Sequence, residues 1–274
     1  MNTKSKLIVL LILWAVAFIP VYPSLISTWL YHSNNSHGIL VPLISAFLTW
    51  QKRNQLQQAP VSNSHWGVVI LVSTMVLYIL SYAGAVAVVS RSMIVFSLIG
   101  LVLFILGESI FSIIKFPLFY LIFMVPVPTS IYKLVAFPLQ LFATKISAFI
   151  IQVFSIAAYR EGNMLYFAQT QLEVAEACSG LRSMMAFFML SFLFAYMMDK
   201  NWKKRIFIIF SAIPLALFAN IVRVTGTGIL AHLYGDQVAR GFLHEFSGLA
   251  VFAFGFILLS LEYFVLNKIK GKRY

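Results

Sequence analysis

The stretch IFIIFSAIPLALFANIVRVTGTGILAH, residues 206–232, decides the fold class, because it carries a single Lys, Arg, Asp or Glu side chain, Arg223. A helix of this length measures about 40 Å, more than the roughly 30 Å hydrocarbon core of a bilayer. Long apolar runs favour membrane helices over a β-barrel, whose strands alternate apolar and polar residues. The sequence therefore predicts an all-α, polytopic membrane helical bundle.

Composition supports the same class over the whole chain. Of 274 residues, 61% are hydrophobic and 10% are charged, and the mean hydropathy is +0.91. A soluble domain carries about 25% charged residues. The net charge of +12 comes from basic residues that flank apolar runs, which favours the lipid bilayer over nucleic acid as the partner.

Eight membrane spans are predicted within a single domain, residues 1–274. They cover residues 7–23, 37–51, 66–84, 92–107, 110–127, 181–198, 206–232 and 246–266. The first span is expected to remain uncleaved. Its apolar run, Leu7 to Ile19, is followed by the run from Pro20 to Pro23 and not by a small-residue cleavage site.

Residues 131–157 are apolar but are interrupted by Lys133, Pro138, Gln140 and Lys145. This pattern predicts an interfacial or re-entrant helix on the outer face. Two short strands, Met164 to Ala168 and Leu172 to Ala175, are predicted to follow it around a polar turn.

Basic residues predict the orientation. A cytoplasmic N-terminus places most Lys and Arg side chains in the cytoplasm, including the cluster Lys203, Lys204 and Arg205. Both termini are then cytoplasmic. The segment around Cys178, the far end of the 206–232 span and the start of the last span all lie on the outer face.

Cys178 is the single cysteine, so no intrachain disulfide forms. It directly precedes the predicted 181–198 helix, where unpaired amides and the helix dipole stabilise a thiolate. Arg182, four residues on, adds a cation, whereas the nearby Glu173 and Glu176 oppose the thiolate. The alternative is a helix cap with a bystander cysteine.

Arg223 lies 17 residues after Ile206, or about 26 Å along the helix. An ionisable residue inside an apolar helix indicates a functional site. Asn220, one turn earlier, can hydrogen-bond on the same side. The alternative is an arginine that snorkels to the outer interface.

His244 precedes the last predicted span by two residues, at the same depth and face as Cys178 and Arg223. A thiolate, an imidazole and a guanidinium suffice for acyl transfer: the thiolate attacks a carbonyl, the imidazole moves protons and the guanidinium stabilises the oxyanion. A lone loop histidine without a role is the alternative.

Five segments resemble the exosortases, membrane transpeptidases of Gram-negative bacteria. They are Ser36-His37-Gly38-Ile39-Leu40-Val41-Pro42, Tyr159-Arg160-Glu161-Gly162-Asn163, Glu173-Val174-Ala175-Glu176-Ala177-Cys178-Ser179-Gly180-Leu181-Arg182, Asn220-Ile221-Val222-Arg223-Val224-Thr225 and His244-Glu245-Phe246-Ser247-Gly248. They occur in the order expected for that family.

The resemblance implies that Cys178 is the nucleophile and that Arg223 and His244 complete a triad. Arg182, Asn220 and Glu176 are expected to support the site, and His37 is expected either to be structural or to line the substrate path. The implied substrates are exported proteins with a C-terminal Pro-Glu-Pro motif, a transmembrane helix and a basic tail. Cleavage at the outer face of the inner membrane would be followed by transfer to an acceptor, in systems that accompany exopolysaccharide production.

Two other classes of protein stay open. One is a transporter with Arg223 and His244 along its path, although the chain shows no two-fold repeat. The other is a membrane acyl- or glycosyl-transferase that acts through His244. No cofactor is predicted, and no metal, because the histidines show no ligand spacing.

Overall fold

The computed structural model describes residues 3–168, 170–174, 181–198, 201–235 and 242–268. It is predominantly helical, and its contacts divide the chain into two compact units, residues 1–128 and 129–274. The prediction of a single domain stays a prediction.

The first unit contains six helices and two short 3-10 segments. The helices are α1 (Thr3–Ala17), α2 (Tyr22–Tyr31), α3 (Leu40–Gln51), α4 (Arg53–Gln58), α5 (His65–Ala83) and α6 (Ala87–Tyr120); the 3-10 segments are Ser33–Ile39 and Leu121–Met124.

The predicted first span, residues 7–23, is not one straight helix, because the chain bends within it. Helix α1 ends at Ala17, and α2 starts at Tyr22 and is bent by 71° from it. Pro20 and Pro23 explain the break, because proline lacks a backbone donor and disfavours a helical residue before it. Pro23 is tolerated in the first turn of α2.

Helix α6 is interrupted at Gly107, whose φ of 82° and ψ of −177° are not helical. The break lies at the end of the predicted span 92–107. A side chain at Gly107 would overlap the carbonyl of Ser62, so the close approach and the positive φ both require glycine. The segment before the break packs on α5, where Gly67 lies against the backbone of Phe104.

The described residues of the second unit form four helices and a small sheet. They are α7 (Thr129–Val153), β1 (Ala158–Glu161), β2 (Met164–Phe167), β3 (Gln171–Glu173), α8 (Leu181–Met197), α9 (Trp202–Tyr234) and α10 (Phe242–Lys268). The strands form an antiparallel sheet in the order β1-β2-β3. Strands β2 and β3 confirm the two predicted strands.

The interfacial or re-entrant position predicted for residues 131–157 stays a prediction, and the structure gives the form of the segment, helix α7. It is one continuous helix that is long and apolar enough to cross a membrane. Gln140, Thr144 and Ser147 recur at intervals of three and four residues, and all three are buried. These polar residues therefore share one packed face of a helix and do not interrupt it.

The sheet packs at the C-terminal end of α9. Leu165, Leu172 and Val174 share a buried cluster with Val224, and the rings of Phe167 and His232 lie 6.1 Å apart. About 32 Å of helix separates Val224 from Lys203 at the start of α9. The sheet and the basic cluster therefore lie at opposite ends of a helix that matches the bilayer core.

The predicted count of about eight spans is not confirmed. Among the described residues, four helices are long and apolar enough to cross a membrane, or up to five if α1 and α2 form one bent span. The lower count follows because α3 and the apolar part of α8 are short, and because α6, which holds two of the predicted spans on either side of its break at Gly107, is counted once. Helix α10 is not among these helices; the side chains of its first turns lie outside the described residues, to which the count is limited.

The separation along α9 predicts that its two ends are reached from opposite sides of the membrane. In a Cys178→Ala background, single cysteines at Gln171 and Lys203 report on the two ends, and both side chains are exposed. We expect an impermeant maleimide to label Gln171→Cys in spheroplasts and Lys203→Cys only in inverted vesicles. Labelling of both from one side would contradict a membrane-crossing α9.

Candidate active site at the end of the helix bundle

A small-residue face of α9 receives an aromatic side chain of α8. Phe187 is fully buried against Ala212, Ala216 and Ala219. Nearer the basic end, Ala195 and Met198 of α8 pack around Ile208. Residue numbers rise along α9 as they fall along α8, so the two helices are antiparallel.

Helix α10 also packs antiparallel to α9. Three contacts fix the register: Lys204 Nζ donates to the Leu266 carbonyl at 2.6 Å, Ser211 Oγ donates to Glu262 Oε2 at 2.8 Å, and the rings of Phe218 and Phe254 lie 6.4 Å apart. Phe252 also stacks on Phe187 of α8, with ring centroids 5.3 Å apart. The three helices α8, α9 and α10 therefore form one interlocked bundle.

This register brings three predicted site segments toward the same end of the bundle. Phe187 lies beside Ala216, so Leu181, six residues earlier, falls level with residues 220–224 of α9. Continuing past the Phe218–Phe254 contact places residues 243–250 of α10 beside residues 222–229. Arg182 and His244 belong to these first turns, although their side chains lie outside the described residues.

The chain that leads toward Cys178 is anchored at Val174. Its side chain is 1% exposed and packs with Val224. Its backbone N–H donates to the Asn163 carbonyl at 2.9 Å, and its own carbonyl accepts a hydrogen bond from Gln140 Nε2 of α7. Backbone and side chain are both held, so this exit from β3 is fixed beside the end of α9.

Cys178 and Glu176 lie outside the described residues. The described residues that flank them are Val174, after β3, and Leu181, where α8 starts. In sequence, Cys178 follows Val174 by four positions and precedes α8 by three, so the predicted place of the cysteine just before a helix agrees with where α8 begins.

Arg223 is half-buried near the far end of α9, and its Nε atom is fully buried. It lies on the side of α9 that carries Ala216 and Ala219, which face α8. A guanidinium at this position offers several donors in a rigid fork to a group held between the helix ends.

Asn220 does not support Arg223 by a hydrogen bond, although the sequence had suggested one. Asn220 is 3% exposed. In the part of the chain that the structure describes, neither its Oδ1 nor its Nδ2 atom has a hydrogen-bond partner. A buried polar group left in this state costs about 1–3 kcal/mol of folding free energy.

His37 belongs to the first unit and lies in the 3-10 segment before α3. Burial lowers the pKa of its imidazole below the ordinary value, and a hydrogen bond from the ring to the backbone of Phe123 partly opposes this shift. The contact with Phe123 favours the structural role expected for His37. A role in lining the substrate path stays a prediction.

Sequence reasoning missed two features of this site. Strand β1 was not predicted, although Gly162 and Asn163 form the kind of two-residue turn that marks a hairpin. Gln140 was taken as an interruption of an apolar segment, whereas it bonds the Val174 carbonyl. The signal available in the sequence was the four-residue spacing between Gln140 and Thr144, which places both polar residues on one face of a helix.

The described residues contain no group of three or more His, Cys, Asp or Glu side chains that could hold a metal ion. The absence of a metal and of a cofactor stays a prediction, because Cys178 and the side chain of His244 are not described.

Comparison with known proteins gives one positive result. No curated protein and no solved structure matches the chain significantly. Residues 29–261 match the family model described as transmembrane exosortase. The match covers most of the chain, including the β-sheet, α8, α9 and α10 as far as residue 261. The chain therefore belongs to the transmembrane exosortase family.

Proposed function

We propose that this protein is a membrane-embedded cysteine peptidase and transpeptidase that cleaves a C-terminal sorting signal of exported proteins. The observation that carries the proposal is the helix register, which brings the start of α8 level with Arg223 and the first turn of α10 about one helical turn beyond it, toward the same end of the bundle. Family membership supports the same chemistry. The proposed triad is Cys178, Arg223 and His244, and Arg182 and Glu176 lie close to the cysteine in sequence.

The short chain that links Cys178 to its neighbours allows the cysteine to reach the end of α9 near Arg223. Val174 packs on Val224, and four residues of extended chain span at most about 14 Å. Cys178 is therefore tethered at both sides, by Val174 at the sheet and by Leu181 at α8. The tether supports a position for the thiol near the end of α9, close to Arg223.

The reaction follows from the three groups. The Cys178 thiolate attacks the scissile carbonyl carbon, and the oxyanion of the tetrahedral intermediate is stabilised by the Arg223 guanidinium. His244 protonates the leaving amine as the C–N bond breaks, which leaves a thioester on Cys178. The acceptor nucleophile then loses its proton to His244 and attacks the thioester, which transfers the acyl group and releases the thiolate.

The proposed orientation follows from charge. Lys203, Lys204 and Arg205 at the start of α9 favour a cytoplasmic position for that end, so the sheet and the triad face the periplasm. Both termini are then cytoplasmic, in a bacterial inner membrane. The proposed substrates are exported proteins that end in a Pro-Glu-Pro motif, an apolar helix and a basic tail, in systems linked to exopolysaccharide production.

Replacement of the nucleophile tests the reaction directly. We expect wild-type protein to shorten a co-expressed reporter that ends in a Pro-Glu-Pro motif, an apolar helix and a basic tail, whereas Cys178→Ala leaves it intact on a gel. Lys268→Ala, an exposed substitution at the far end of α10, serves as the active control. Equal processing by wild type and Cys178→Ala would favour a transferase that acts through His244.

Replacement of Arg223 by lysine tests the oxyanion role. A lysine keeps the charge but lacks the planar fork of donors, so we expect Arg223→Lys to lower the processing rate by about 100-fold or more. Arg53→Lys, which changes an exposed arginine in the first unit, is the matched control and should process at the wild-type rate. Full processing by Arg223→Lys would remove Arg223 from the reaction.

A further inference from the structure

Among the described buried polar side chains of α9, Asn220 and Thr225 lack a hydrogen-bond partner, and Asn220 is the one with both a donor and an acceptor unpaired. In the same layer, Ser147 Oγ donates to the Ile221 carbonyl at 3.3 Å, and Thr144 Oγ1 donates to the Gln140 carbonyl at 2.8 Å. Gln140 Nε2 donates to the Val174 carbonyl. Both polar atoms of Asn220 lack a partner among the described groups, although its side chain is equally buried.

The position of Asn220 on α9 shows what it faces. Ala216 and Ala219 lie on the side of α9 that contacts Phe187 of α8. Val224 lies on the side that contacts the sheet and α7. Asn220 falls between these two faces on the helical wheel, so it points between the sheet and α8. In sequence, Cys178 belongs to the segment that links Val174, beside the sheet, to Leu181, the start of α8.

A carboxamide offers an N–H donor and a carbonyl acceptor without charge. This combination complements a peptide group, which presents one carbonyl and one N–H, and it offers no net charge to neutralise an ionic ligand. An asparagine kept for folding alone would be paired within the protein, as Gln140 and Ser147 are.

We propose that Asn220 is a substrate-binding residue that hydrogen-bonds a backbone peptide group of the polypeptide beside its scissile bond. This inference rests on the proposed function, since it takes the ligand to be the peptide processed at Cys178. Asn220 thus recognises extended backbone, independently of the side chains of the sorting signal, and holds the chain in place for attack.

The test replaces Asn220 by leucine, which has a similar volume and no polar atoms. Asn220 has no hydrogen-bond partner to lose among the described residues, so we expect Asn220→Leu to unfold at the same temperature as wild type or higher in detergent. Processing of the Pro-Glu-Pro reporter should slow by about 10- to 100-fold, the range expected for losing hydrogen bonds to a buried amide. Ser147→Ala is the matched control: it removes a paired group of the same layer, so it should lower the unfolding temperature and retain processing.

A capture measurement separates this inference from the proposed function. Tagged Cys178→Ala protein should co-purify the intact reporter, and the Cys178→Ala, Asn220→Leu double variant should not. If the double variant is stably folded and does not capture the reporter, the binding role of Asn220 is supported. This holds even if the wild type does not cleave the reporter and the proposed function is therefore wrong. Unchanged processing or capture by Asn220→Leu overturns the inference, and so does a lower unfolding temperature than that of Ser147→Ala. Absence of capture by Cys178→Ala itself overturns the inference together with the proposed substrate.

Discussion

The fit of Phe187 into the alanine face of α9 is the contact on which the second unit depends. Ala212, Ala216 and Ala219 allow α8 to approach closely, and Gly255 of α10 lies against the same ring, where a side chain would overlap it. In a bilayer the helices gain little from hydrophobic burial against each other, so close packing of small residues sets their register. That register brings the start of α8, which carries Arg182, level with Arg223, and the first turn of α10, which carries His244, about one helical turn beyond it, toward the same end of the bundle.

A polar layer between α7 and α9 complements this apolar contact. Ser147, Thr144 and Gln140 each have a hydrogen bond to a backbone carbonyl, as buried groups in lipid require. The bond from Gln140 to Val174 couples this layer to the chain that enters the cysteine segment. Asn220 has no such bond among the described groups, and it is the residue for which we propose a role in binding the substrate backbone.

Local sequence patterns predicted the elements but not their assembly. The apolar run of residues 206–232 falls within α9, and the alternation in Met164 to Ala168 and Leu172 to Ala175 predicted β2 and β3. The bend after α1 was missed because a count of apolar residues passes over Pro20. The continuity of α7 was missed because Gln140 was read as an interruption of an apolar run, while its burial against another element is invisible to a local pattern. The bundle register depends on pairs such as Ser211 and Glu262, 51 residues apart in sequence, which no short window contains.

Convergence of Cys178 and His244 at the end of α9 is the central claim, and a disulfide between the two positions tests it most directly. In the His244→Cys variant, Cys178 is the natural partner, and mild oxidation should link the two in high yield, as detected by mass spectrometry of the joined peptides. Glu262→Cys, toward the opposite end of α10, should not link to Cys178. Absence of the link at residue 244, or equal linkage at residue 262, would contradict an active site built from these helix ends.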